Sequence, residues 1–171
     1  MGMVCVFTGN GKGKTSAAFG MAFRFLGHGK RVVVVQFLKG RRTGELLLKK
    51  NLQGLDIVQF GTEEFVDLKN PSKEDKQRAI EAMLYAKKIA TGAYRPDLLI
   101  LDEANVAVAA GLIDEIDVLE LMQEMPEEID LVLTGRGATE RILEKADLVT
   151  EMKDVKHPHA QGRPAQEGME Y

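Results

Sequence analysis

The stretch "MVCVFTGNGKGKTSAAFG", residues 3–20, decides the fold of this 171-residue chain. An apolar run of strand character leads into a glycine-rich loop, and a helical pattern follows the loop. Phosphate-binding loops contain glycine, four residues and then Gly-Lys-Ser/Thr. Counting back from Gly13-Lys14-Thr15, the first glycine would fall at residue 8, but Thr8 stands there and the nearest glycine is Gly9. The pattern indicates a phosphate-binding loop that is one residue short.

The loop has the residue types that bind a phosphate chain. Gly9, Gly11 and Gly13 let the backbone approach phosphate oxygens, and the N–H groups at the helix start attract an anion. Lys14 can reach the terminal phosphates, and the Thr15 hydroxyl can bind Mg²⁺. The alternative interpretation is a basic, glycine-rich hairpin without a ligand.

Six apolar runs alternate with helical patterns along the chain. The runs cover residues 3–7, 31–38, 56–60, 97–102, 130–135 and 147–152. Their near-continuous apolar character is typical of strands that are buried on both faces of a parallel sheet. We therefore predict an α/β, P-loop NTPase-like three-layer fold with a mainly parallel sheet of about six strands. A single domain should span residues 1–171, with the tail, residues 153–171, packing near the ligand edge of the sheet.

Helices are predicted over residues 14–27, from residue 72 onward, over 112–125 and over 138–145. Ser72 and Asp75 resemble a capping box at the start of the longest helix. The apolar stripe predicted for that helix consists of Ile80, Met83, Leu84, Ala86 and Ala90.

Composition excludes several classes of protein. The net charge of −3 argues against a general nucleic-acid binder, although "KGRR", residues 39–42, is either a local basic patch or a solvated loop. The single cysteine, Cys5, cannot form an internal disulfide and reads as a small core residue. No apolar stretch approaches the roughly 20 residues that span a bilayer. The expectation is a cytoplasmic protein without a signal peptide.

A second motif, "LLILDEAN", residues 98–105, ends a buried-type strand in two carboxylates. Carboxylate oxygens suit Mg²⁺, bound directly or through water. Asp102 and Glu103 are therefore the candidate metal ligands opposite the loop. Asp102 could instead cap the following helix.

Two arginines are further candidates. "LVLTGRG", residues 131–137, brings Arg136 to the carboxyl edge of the sheet, where ligands of open α/β folds bind. The alternative for Arg136 is a surface turn. Arg24 lies on the helix after the loop, where the pattern alone favours a solvated face.

Together these motifs resemble the ATP:corrinoid adenosyltransferase family of cobalamin synthesis and salvage. The resemblance rests on the short loop GNGKGKT, on "VVQFLKG", "GE" at 44–45, "LDE" and "LTGRG", and on the C-terminal stretch from residue 146. It implies transfer of the 5′-deoxyadenosyl group of ATP to reduced cobalt, with release of triphosphate. It further implies Mg²⁺ or Mn²⁺, a homodimer and an electron-donating flavoprotein.

The resemblance also assigns site residues. It implies that residues 9–15 and Arg24 contact ATP and that Thr15 and Glu103 hold the metal. With the candidates from the motifs added, Asp102 joins the expected metal ligands. Lys14 and Lys12 are expected to stabilise the leaving group, and a larger set is expected to contact ATP. That set is Gly9, Asn10, Gly11, Lys12, Gly13, Lys14, Thr15, Ser16, Arg24 and Arg136. In relatives a Gly-Thr-Gly-Phe-Thr-Trp segment presses beneath the corrin; here it reads "GTEEFVD", residues 61–67, and the chain has no Trp. Phe65 and nearby Phe60 are the candidate corrin contacts.

Two other functions compete with adenosyl transfer. A P-loop ATPase or kinase would use the same loop and Glu103 on another substrate. A non-enzymatic, ATP-dependent corrinoid carrier or regulatory partner would bind without chemistry.

Overall fold

The computed structural model describes residues 2–64, 66–156 and 166–169. In these residues the element order is β1 (Val4–Thr8), α1 (Lys14–Gly27), β2 (Val32–Phe37), α2 (Gly44–Leu48), a 3-10 turn (Lys49–Asn51), β3 (Leu55–Phe60), α3 (Lys73–Thr91), β4 (Leu98–Asp102), α4 (Ala104–Ala109), α5 (Glu115–Glu124), β5 (Asp130–Thr134), α6 (Glu140–Lys145) and β6 (Leu148–Glu151). The described residues thus contain all six predicted strands. The described part of the chain has no helix with the length and hydropathy needed to cross a bilayer.

The strands form one sheet in the order β3-β2-β4-β5-β1-β6, and every described pairing is parallel. All strands therefore end at the same edge, so the loops that follow β1, β2, β4 and β5 meet there. The order also places β5 between β1 and β4, the strands that precede the glycine-rich loop and the two carboxylates.

Alternate strand residues bury the two faces of the sheet against separate helical layers. One face carries Val33, Val35, Leu99 and Leu101 against helices α3 to α6. The opposite face carries Val32, Val34, Leu98 and Ile100 against α1. Cys5 is 1% exposed on the α1 face, as predicted for a small core residue. The fold is the predicted three-layer α/β architecture.

Strand β6 corrects the expectation of strands buried on both faces. All four of its residues are exposed, and Leu148 and Val149 remain 41% and 44% accessible. The strand lies at the edge of the sheet and pairs only with β1 among the described strands. Its apolar residues complete the sheet without being covered by a helix.

The predicted stripe of α3 was only partly right. Met83, Ala86 and Ala90 are buried, but Ala79 and Ala82 complete the buried face, while Ile80 and Leu84 are 36% and 60% exposed. The small alanines let the helix lie close to the sheet, and the larger Ile80 and Leu84 instead line a cavity of about 680 Å³ between α3 and the segment before α5. The capping box of Ser72 and Asp75 is confirmed.

Two predicted helices begin later than expected, and the one over 138–145 begins at Glu140, after its N-cap Thr139. The predicted helix over 112–125 begins later, at Glu115, because the Asp114 side chain caps it by accepting from the Ile116 N–H. The short helix α4 before it was not predicted; it ends at Ala109, and Gly111 in the turn that follows has a φ of 67°, which suits glycine. Helix α2 was also missed, because five residues are too few to show a period.

Candidate functional site

The glycine-rich loop lies at the carboxyl edge between β1 and α1. Helix α1 begins at Lys14, directly after Gly13, whose φ of 110° is accessible to glycine. The Lys14 ammonium folds back over the loop and donates to the carbonyl oxygens of Gly9 and Gly11, at 2.8 and 2.7 Å. Burial is the main reason that the pKa of Lys14 is lowered.

Two of the loop glycines, Gly9 and Gly11, are also required by the packing of the loop against the chain after β6. A Cβ on Gly9 would lie 2.4 Å from the Met152 carbonyl oxygen, and one on Gly11 would lie 2.5 Å from that of Lys153. The Gly11 N–H also donates to the Met152 carbonyl oxygen at 2.6 Å. These glycines therefore let the loop lie against the chain that leaves β6, and the Gly11 N–H is already used there.

Asp102 is the centre of the polar network at the end of β4. Its side chain is fully buried and accepts from four donors. The donors are Thr15 Oγ1 (2.8 Å), Thr134 Oγ1 (2.6 Å), Gln36 Nε2 (3.1 Å) and Lys39 Nζ (2.6 Å). Burial alone raises the pKa of Asp102, but Lys39 and the hydroxyl donors outweigh it and hold that pKa below its ordinary value.

This environment corrects the helix-cap interpretation of Asp102. Glu103, not Asp102, is the N-cap residue of α4, and no side chain caps that helix. Because its oxygens are occupied by protein donors, Asp102 is set to orient the Thr15 hydroxyl rather than to face the cavity directly.

Glu103 has an unusual backbone. Its φ is 65°, in the left-handed region that is costly for a residue with a Cβ. Its N–H donates to Thr134 Oγ1 at 3.0 Å, which helps to hold this conformation. Burial and the nearby Asp102 carboxylate raise the pKa of Glu103. A cation beside Glu103 would favour its charged form.

The loop after β2 is a part of the site that sequence reasoning missed. Lys39 lies 3.8 Å from Glu45 Oε1 as well as 2.6 Å from Asp102. Gln36 Nε2 also donates to Glu45 Oε1, at 3.1 Å. The available signals were the basic "KGRR" and the Gly-Glu pair at 44–45, but neither pattern indicates that β2 lies beside β4.

One cavity of about 1010 Å³ connects these elements. It is lined by residues 10–16 of the glycine-rich loop, residues 38–45 of the loop after β2, Glu103 and Arg136. Gly168 and Met169 of the tail also line it. The cavity thus brings together Asn10, Gly11, Lys12, Gly13, Lys14, Thr15, Ser16, Glu103 and Arg136 of the predicted residues.

Other predicted residues lie elsewhere. Arg24 is on an exposed face of α1, about 15 Å along the helix from Lys14, and does not line the cavity. Phe60 is half-buried, with its ring centroid 5.5 Å from that of Tyr85 on α3, and is likewise absent from the cavity wall. Phe65 falls outside the described residues.

Comparison with known proteins decides among the functions that this cavity allows. The family model described as ATP:corrinoid adenosyltransferase BtuR/CobO/CobP matches residues 1–171. The chain belongs to this family. Corrinoid adenosyltransferases of Sinorhizobium sp and Escherichia coli K12 are 42% and 39% identical to it. Both alignments cover 99% of the chain, and they cover 80% and 86% of those proteins.

A third ATP:corrinoid adenosyltransferase relative, the corrinoid adenosyltransferase CobA of Salmonella typhimurium, is 36% identical over 99% of the chain and 86% of its own length. Among solved structures, the KaiC-like protein PH0186 of Pyrococcus horikoshii OT3 is similar in fold alone. It has a TM-score of 0.57 and 19% identity, and the match covers 88% of this chain and 72% of that one. The chain is an enzyme that transfers the adenosyl group of ATP to a corrinoid, and the ATPase, kinase and carrier alternatives are not favoured.

Proposed function

We propose that ATP binds with its triphosphate along the glycine-rich loop and its C5′ carbon toward the open part of the 1010 Å³ cavity. The observation that carries this proposal is the shared cavity wall formed by Lys14, Thr15, Glu103 and Arg136. The reduced cobalt attacks C5′, a Co–C bond forms, and the C5′–O bond breaks. The electron pair leaves on the triphosphate oxygen.

The protein's contribution is to stabilise the negative charge on the departing triphosphate. Lys14, Lys12 and Arg136 bring three cations to the cavity, and preorganised charges of this kind lower the barrier where charge develops. Reduced cobalt is a strong nucleophile, so no protein base is required. The cavity would also align C5′ with the cobalt of the corrin and exclude water from the reaction.

The donor set fits a divalent cation at the phosphate end. The Thr15 hydroxyl and the Glu103 carboxylate both line the cavity, and oxygen donors are those that Mg²⁺ prefers. Asp102 would not bind the cation directly; it would orient the Thr15 hydroxyl, from which it accepts a hydrogen bond at 2.8 Å. Mg²⁺, or Mn²⁺, would supply charge neutralisation of the phosphates.

The phosphate product tests the proposal. The protein is incubated anaerobically with ATP, Mg²⁺ and a chemically reduced corrinoid, and the phosphates are separated by ion exchange while the visible spectrum is recorded. We expect intact triphosphate together with the spectrum of the alkylated corrinoid. ADP or pyrophosphate as the primary product would contradict the proposed bond cleavage.

The family resemblance supports three further proposals. The enzyme is a homodimer, a flavoprotein supplies electrons to cobalt, and the site of action is the cytoplasm. Light scattering coupled to size exclusion tests the first, and a molar mass near that of one 18.9 kDa chain would contradict it. Turnover with reduced flavodoxin-type donors in place of a chemical reductant tests the second, and fractionation of cells tests the third.

A further inference from the structure

Lys39 has a position that its sequence context does not explain. Its ammonium is 2.6 Å from Asp102 Oδ2 and 3.8 Å from Glu45 Oε1, yet the side chain remains 24% exposed and lines the 1010 Å³ cavity. An ammonium carries three N–H donors. The bond to Asp102 uses one, and the Glu45 oxygen is too far for a second hydrogen bond. At least one donor is thus available on the cavity side.

The backbone around Lys39 is strained and closely packed, which fixes the position of this residue at the cavity wall. Leu38 has a φ of 60°, which is rare for a side chain of this size and costs conformational free energy. The loop also lies directly against the loop after β3, because a Cβ on Gly61 would approach the Lys39 backbone nitrogen to 2.4 Å. Backbone strain such as that of Leu38 clusters at functional sites.

The same loop also carries a polar group without a hydrogen-bond partner among the described residues, the Thr43 hydroxyl. The Thr43 hydroxyl oxygen is buried and has no hydrogen-bond partner among the described residues, and Thr43 also lines the cavity. A buried hydroxyl without a partner is costly unless a ligand or water satisfies it. The loop after β2 therefore presents both a cation and a hydroxyl to whatever fills the cavity.

We propose that Lys39 is a phosphate-binding residue of this enzyme, held by Asp102 and directed at the triphosphate chain from the side opposite Lys14. This inference rests on the proposed ATP site. Asp102 then has two tasks, since it orients Thr15 through Oδ1 and anchors Lys39 through Oδ2. The loop after β2 becomes a second phosphate-binding element beside the glycine-rich loop.

Binding of inorganic triphosphate, measured by calorimetry at fixed Mg²⁺ without corrinoid, tests the inference. Lys39→Met should weaken triphosphate binding about tenfold or more, because a charge-assisted contact is lost. Lys39→Arg should restore most of the affinity. Lys87→Met is the matched control, because Lys87 makes a similar 2.7 Å ion pair with Asp117 away from this cavity; we expect its triphosphate affinity to equal that of the parent.

A cycle with Asp102→Asn separates contact with phosphate from neutralisation of Asp102. If Lys39 touches the phosphate chain, Lys39→Met still weakens binding in the Asp102→Asn background. If Lys39 serves only as the counter-charge of Asp102, its effect disappears there and the inference is overturned. Equal affinity of Lys39→Met and parent overturns the inference alone, whereas no triphosphate binding by the parent overturns the proposed ATP site as well.

Discussion

The Thr15 hydroxyl donates to Asp102 Oδ1 at 2.8 Å, although β5 separates the strands from which the two residues emerge. Helix α1 lies across the sheet on the face that it covers, and its first turn reaches the end of β4. This hydrogen bond links the first turn after the glycine-rich loop directly to the carboxylate motif. It also gives Asp102 a function that is independent of direct coordination.

Removal of the Thr15 hydroxyl should therefore affect both stability and metal use. We expect Thr15→Val to lower the free energy of unfolding by about 1–3 kcal/mol, because the buried Asp102 carboxylate loses a donor, and to raise the Mg²⁺ concentration needed for half-maximal activity. Thr15→Ser retains the hydroxyl and should stay close to the parent in both respects. Urea unfolding and Mg²⁺ titration give the two values, and equal behaviour of Val and Ser would refute the role.

Loss of the Lys14 ammonium should abolish turnover while the fold persists. Each charge-assisted contact to phosphate is worth roughly 1.5–3 kcal/mol, and the contribution is larger where charge develops on the leaving group. We expect Lys14→Ala to reduce kcat at saturating ATP by at least about a hundredfold, with native circular dichroism. Near-normal kcat at saturating ATP would show that Lys14 does not contact the departing phosphates.

The strained backbone of Glu103 predicts that replacing this residue changes stability and Mg²⁺ dependence separately. Glu103→Gly and Glu103→Ala both remove the carboxylate, but glycine alone tolerates a φ of 65° without strain. We expect the Gly variant to unfold with roughly 1 kcal/mol more free energy than the Ala variant. Both should need more Mg²⁺ than the parent, as should Glu103→Gln. Thermal unfolding compares the two, and equal melting temperatures would mean that the residue stores no strain.

Asp102 predicts a pH dependence of stability. Burial raises its pKa, but Lys39, Thr134 and Thr15 outweigh burial and bring the folded pKa below 3.8. A group with a depressed folded pKa stabilises the protein above its unfolded pKa and loses that contribution as pH falls through the folded value. The difference in unfolding free energy between parent and Asp102→Asn should be constant near neutral pH and shrink below about pH 4.

Surface carboxylates provide the control for this titration. Asp56 lies 3.6 Å from Lys49 and is half exposed, so Asp56→Asn should change the unfolding free energy by less than about 1 kcal/mol. A difference between parent and Asp102→Asn that stays constant to pH 2 would count against the depressed pKa of Asp102.

The two phenylalanines predicted to contact the corrin should behave differently. Phe60 packs on Tyr85, so Phe60→Ala should cost about 2 kcal/mol of stability without a specific effect on corrinoid. Phe65→Ala should impair adenosylation that starts from the one-electron-more-oxidised cobalt more than adenosylation from fully reduced cobalt. The ratio of the two rates is the measurement, and an unchanged ratio for Phe65→Ala would remove that residue from the corrin site.

Sequence patterns predicted the structural features that are determined by residues adjacent in the chain. The run of β1, the glycines and the first turn of α1 are contiguous, so the loop and helix α1 were predicted with the correct start at Lys14. Ala86 and Ala90 of α3 were correctly predicted as buried, but the burial of Ala79 and Ala82 in place of Ile80 and Leu84 was not predictable from the period alone. Ile80 and Leu84 suit an apolar stripe as well as Ala79 and Ala82 do, and the close approach of the helix to the sheet decides between them.

Contacts that depend on the order of strands in the sheet could not be predicted from the sequence. Lys39 meets Asp102 because β2 pairs with β4, and no pattern within either segment specifies that pairing. The positive φ of Leu38 was equally hidden, since its sequence context is that of a strand continuing toward a basic loop. Sequence reasoning consequently found the glycine-rich loop and its acidic partner but missed the loop after β2.

The position of β1 between β5 and β6 has a consequence for synthesis on the ribosome. The first strand to emerge has to wait for residues 130–134 before it gains one neighbour and for residues 148–151 before it gains the other. The glycine-rich loop depends on a still later residue, because the Gly11 N–H donates to the Met152 carbonyl oxygen. A nascent chain can pair β2 with β3 and then β4 while its nucleotide loop is unformed. Non-local pairing of this kind slows folding, and we expect the glycine-rich loop to reach its final conformation only after residue 152 has left the ribosome.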